Sequence, residues 1–132
     1  MTFLEIALRR RALSRPMVHE AITELVATAF LLIAEVGSGI MAERLFAGNV
    51  GFALLTNAIA TGGALVALIL AFGRQSGAHM NPVVTLAAAA TEGLRWHQVP
   101  PYIAAQILGG IGGPSGDRNR DLEAITRKRG EI

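Results

Sequence analysis

Between Phe52 and Phe72 the sequence carries no charged residue. At ~1.5 Å of rise per helical residue, such a run covers a hydrocarbon layer of about 30 Å, so it predicts a membrane-crossing helix. Its polar positions are Thr56, Asn57 and Thr61, and the four-residue step from Asn57 to Thr61 sets those two on one face. Gly62, Gly63 and several alanines would let another helix approach closely.

The rest of the composition agrees with a membrane class. Of 132 residues, 52% are hydrophobic and only 5% aromatic, and the formal charge is +2. Charge gathers at the two ends: Arg9, Arg10, Arg11 and Arg15 before the apolar mass, Arg118, Arg120, Arg127, Lys128 and Arg129 after it. The first cluster places the N-terminus in the cytoplasm by the positive-inside rule and makes the chain a multi-pass protein of the cell membrane, with a lipid bilayer as its first partner. With no cysteine, neither a disulfide framework nor a thiolate metal site is available. No apolar stretch followed by a small-residue cleavage site opens the chain, so no signal peptide is expected.

A second apolar segment, about Ala21 to Ala42, is also long enough to cross. It holds Glu24 and Glu35, each costing on the order of 3 kcal/mol at membrane depth unless it faces protein or water. Eleven positions at ~100° each return Glu35 to within about 20° of Glu24, and Thr28 and Ser38 fall within about 40° of one or the other. A single inward-facing polar stripe is therefore expected. The alternative is a soluble bundle in which both acids end an amphipathic helix; the uncharged run from Phe52 argues against it.

After the second span, with Gly73 and Arg74 expected as the turn, comes SGAHMNPVVT, residues 76–85. Asn81 suits a helix cap and Pro82 a first helical position. The helical pattern then stops at Glu92 and Gly93 after roughly ten residues, ~15 Å, half a bilayer. A helix that enters without crossing is re-entrant, and irregular backbone at that depth survives only beside protein or a water-filled cavity. Gly77, Ala78 and His79 would offer carbonyls to that cavity, with the Asn81 amide and the helix N-terminus beyond them. Acceptors ending at donors suit a neutral hydrogen-bonding solute and disfavour a proton or cation. From Val99 to Gly113 a third apolar stretch is too short to cross alone, and from Pro114 the text becomes a charged tail, read as a solvated, partly helical or disordered end rather than a nucleic-acid patch. His19 and Glu20 lack a second His four positions on, so no metal site, cofactor or enzymatic activity is expected.

SGAHMNPVVT resembles the first signature loop of the aquaporin and glycerol-facilitator family, SGAHxNPAVT, with Val83 in place of the usual alanine. Glu24-Leu-Val-Ala-Thr28 resembles the family's first helix and Tyr102-Ile-Ala-Ala-Gln106 the start of its third. The resemblance implies an all-α membrane fold with two full transmembrane helices, one re-entrant half-helix and an incomplete third span, the N-terminal half of the family's architecture. It implies a basic N-terminus (1–19), a family-like repeat (20–113) and a tail without counterpart (114–132). It also implies a pore lined by Thr61, Gly77, Ala78, His79, Asn81 and Val83. Asn81 would be the donor and Thr61 would set the outer filter, its small side chain admitting glycerol or a small metalloid acid. Glu24 and Pro82 would support the loop, and Glu35 departs from the pattern. For Thr61 and the His79 ring, plain packing remains open. Because the family builds its pore from two inverted repeats, the resemblance gives two functions: passive passage of water or small neutral solutes once a second half completes it, or a truncated, non-conducting membrane remnant; the partners it implies are a small neutral solute and a complementary half or homo-oligomer.

Overall fold

The computed structural model describes residues 17–130, and within them every regular element is helical. Arg9, Arg10, Arg11 and Arg15, on which the orientation rests, lie outside the described residues. Helix α1 spans Met17–Leu45 and α2 spans Val50–Ser76; both are long and apolar enough to cross a membrane. They begin and end beyond the apolar runs because hydropathy marks the membrane layer, whereas caps mark the helix ends. Asn49 caps α2 by accepting from the Phe52 N–H. At the other end, the turn expected at Gly73 and Arg74 lies at Gly77. Its φ of 95° is left-handed, and its N–H closes on the Gly73 carbonyl, so Gly73 stays inside the helix.

Helix α3, Pro82–Thr91, is the short re-entrant element, and it is followed by a single 3-10 turn at Trp96–Gln98. Its far end returns to the end of the bundle where α1 begins, since Glu92 shares a cavity with Glu20 and Gln98. Helix α4 then runs from Val99 to Gly130 without a break at Gly113, carrying Pro114 inside it. The apolar text ends at Gly113, but the charged residues that follow include good helix formers, so the backbone continues where the hydropathy does not.

Helix α1 packs between α2 and α4. Against α4 the approach is backbone to backbone: a Cβ at Gly109 would lie 2.3 Å from the Leu25 carbonyl oxygen and one at Gly113 2.6 Å from that of Ala29. Two glycines four apart on one helix face permit this contact. Gly62 and Gly63, where a close helix was expected, have nothing within 4 Å of an added Cβ. Against α2, the Ser38 hydroxyl donates to Asn57 Oδ1 at 2.7 Å. Between α2 and α4 a groove runs along α1. Ala27, Ala78 and Met80 close its half nearer Met17, with Leu31, Leu68 and Phe72 packed around them.

Candidate functional site

The groove is filled on that side by residues 77–81, held by one carboxylate. Glu24 is fully buried and accepts four hydrogen bonds. Its Oε1 takes the Ser76 hydroxyl at 2.7 Å and the His79 N–H at 2.9 Å; its Oε2 takes the Met80 N–H at 2.8 Å and the Gln106 amide at 2.8 Å. The donors come from α2, the loop and α4, so one side chain ties three parts of the fold together. Hydrogen bonds to a charged acceptor contribute ~1.5–3 kcal/mol each, which offsets the desolvation of the carboxylate.

The same bonds orient the loop backbone. The Ala78 N–H is taken by Ser76 Oγ at 3.2 Å, so three successive N–H groups point toward the supporting side. All peptide bonds here are trans, and a trans peptide holds its C=O opposite its N–H. The carbonyls of Gly77, Ala78 and His79 are therefore turned away from Glu24, and among the described residues no hydrogen bond ends on them. Ala78 and Met80 are held at φ of 49° and 50°, left-handed values that cost a non-glycine residue ~1–2 kcal/mol each. Their side chains are buried in the core while their backbones carry the turn.

Asn81 stands at the end of this ladder, exposed. Its Oδ1 accepts from the Val83 N–H at 2.8 Å and caps α3, which leaves the amide hydrogens directed elsewhere. Pro82 occupies the first helical position, where its missing N–H costs nothing. Val83 is 70% exposed beside Asn81. The His79 ring is half-buried, tilted against Tyr102, and its Nδ1 lies 3.2 Å from Thr85 Oγ1. The Thr85 hydroxyl also lies 3.2 Å from the Asn81 carbonyl oxygen. Thr61 is half-buried, remote in sequence from the loop, and its hydroxyl oxygen is enclosed without a partner.

Four residues of this network escaped attention as functional positions: Ser76, Thr85, Tyr102 and Gln106. Tyr102 is buried and donates to the Ser76 carbonyl at 2.9 Å; Gln106 bridges Glu24 and Thr85 Oγ1, the latter at 2.8 Å. Their signal was two polar side chains one turn apart in an apolar segment, at 102 and 106. Glu35 lies on the expected stripe but outside this network. It shares the line of Glu24 but is exposed, because the loop that absorbs Glu24 does not reach ~16 Å further along α1.

Residues 11–115 match the major intrinsic protein family. The chain belongs to this family. Among curated relatives, it is 41% identical to aquaglyceroporin AqpS of Rhizobium meliloti, a match covering 74% of this chain and 41% of the relative. It is 44% identical to the probable aquaporin NIP7-1 of Arabidopsis thaliana (65% and 30% covered) and 39% identical to aquaporin Z of Rhodopseudomonas palustris (70% and 38%). The chain thus spans less than half the length of these major intrinsic proteins. No solved structure matches it significantly.

Proposed function

We propose that this chain forms one half of a passive membrane passage for water or small neutral solutes, closed by a complementary half. The observation that carries this reading is the turning of the Gly77, Ala78 and His79 carbonyls away from Glu24 toward the side of Asn81. A row of free acceptors followed by a free amide donor exchanges hydrogen bonds with a neutral solute and gives a cation no continuous ligand shell. The relatives' names, aquaglyceroporin and aquaporin, support the same solute class. In this reading Glu24 and Pro82 position the loop, Asn81 donates to the solute, and Val83 sets the width beside it. Thr61 lines the outer half, where its small side chain leaves room for glycerol-sized solutes. The arginines near the N-terminus favour a cytoplasmic start. No chemical turnover is assigned.

A non-conducting membrane remnant is the second reading. Stopped-flow swelling of vesicles holding the chain with a complementary half separates the two. If the passage conducts, Asn81→Ala removes a donor worth on the order of 1 kcal/mol and slows flux about fivefold. Unchanged conductance and selectivity would take Asn81 out of the passage.

A further inference from the structure

Glu35 lies well inside α1, a helix of membrane-crossing length, yet it is exposed, and among the described residues nothing pairs with its carboxylate. An ionisable side chain at that depth persists only where water or a partner meets it. Its position on the helix shows which surface it faces. At ~100° per residue, Glu35 falls on the line of Glu24, Thr28 and Ala42. Those three are buried at 0%, 4% and 1% exposure. The outward face of α1 is marked instead by Ile22, Phe30, Ile33 and Met41, all exposed. Glu35 is therefore on the groove side, in the stretch that the loop at Gly77–Asn81 leaves unfilled.

The register between α1 and α2 adds the level. The bond from Ser38 to Asn57 aligns the two antiparallel helices. One turn further along α2 from Asn57 comes Thr61, which this alignment sets opposite the turn of α1 that carries Glu35. Thr61, whose hydroxyl oxygen is enclosed, marks that level, and Asn57 bonded to Ser38 stands one turn away.

We propose that Glu35 is a specificity-determining residue of the passage: a fixed carboxylate in the open half of the groove, level with Thr61, that favours small neutral solutes rich in hydrogen-bond donors and rejects anions. The inference rests on the channel reading. It adds an acceptor and a charge that the carbonyl ladder and Asn81 do not supply, above the point where the loop ends. A polyol would meet the carboxylate through its hydroxyl hydrogens, in charge-assisted hydrogen bonds. An anion would meet uncompensated repulsion in a confined space.

The chain has no cysteine, so a single introduced thiol reports alone. In vesicles, Glu35→Cys is expected to react with a water-soluble methanethiosulfonate, and Ile33→Cys, on the outward face, to remain unmodified. A second probe, Ser38→Cys, sits one turn away. With Glu35 intact it should prefer a cationic reagent over an anionic one, and Glu35→Gln should reduce that preference roughly tenfold, as loss of a unit charge about 5 Å away predicts in water. An unreactive Glu35→Cys would place the side chain out of the water-filled groove and overturn the proposal. An unchanged reagent preference at Ser38→Cys after Glu35→Gln would overturn it as well, by showing the carboxylate neutralised. Both readouts are independent of flux, so either result leaves the Asn81 test of the channel itself standing.

Discussion

At Gly77 two constraints meet on one residue. Its φ of 95° excludes side chains on backbone grounds, and an added Cβ would lie 2.7 Å from His79 Nε2. Gly77→Ala is thus expected to cost about 2 kcal/mol from the left-handed backbone alone. Ala78 and Met80 already carry such strain, and what keeps them there is Glu24. Glu24→Ala would leave the His79 and Met80 N–H groups without an acceptor and the Gln106 amide with Thr85 Oγ1 alone. At ~1–3 kcal/mol for each orphaned donor, the loss exceeds the strain it balances, and the loop should leave its left-handed turns. Denaturation in mixed micelles followed by circular dichroism should show Glu24→Ala destabilised by on the order of 3 kcal/mol or more. A change below 1 kcal/mol would mean that the loop is held by something else.

At the level of elements, the contact between α1 and α4 is set by where side chains are missing. Gly109 and Gly113 face the α1 backbone, while Gly110 and Gly112 between them have nothing within 4 Å of an added Cβ. Gly109→Ala must push α4 away from Leu25, at a cost of about 1–3 kcal/mol. Gly110→Ala has room and should be neutral or slightly stabilising. Comparing the two unfolding midpoints in detergent checks this, and equal effects would show that the helices do not approach as described. These contacts also show what a sequence can reveal. The spans were legible because an uncharged run of membrane length has few other uses, and the re-entrant helix because Asn81, Pro82 and Gly93 punctuate it. Which glycines receive a neighbour was not legible. Gly62 and Gly109 both stand in small-residue stretches, and only the chain's path decides that the glycines of α4 rather than those of α2 lie against the α1 backbone.

For the whole molecule, the carboxylate that organises the site was visible and its partners were not. Glu24 stood out as an acid at membrane depth, a position that demands donors. Ser76, His79, Met80 and Gln106, which supply them, lie 52 to 82 residues further along the chain, and no local periodicity links them. Glu35 obeyed the same angular rule, but angle alone does not give depth along the helix, and Glu35 stands exposed beyond the reach of the loop. The family resemblance supplied the proposed role of the loop, and the hydrogen bonds are compatible with it: three N–H groups are engaged on one side, and their peptides turn three carbonyls to the other. At the scale of a passage, walls must surround the solute. In the proposed passage this chain contributes two long apolar helices, one half-helix and the first part of α4 to those walls.

The most direct measurement is therefore osmotic swelling of vesicles containing this chain alone, the chain with a complementary C-terminal half such as that of the Rhizobium meliloti aquaglyceroporin, and that half alone. The predicted result is water or glycerol flux only for the pair, lowered by Asn81→Ala. Flux from the purified chain alone, or a pair no more permeable than empty vesicles, would contradict the reading of this chain as one half of a passage.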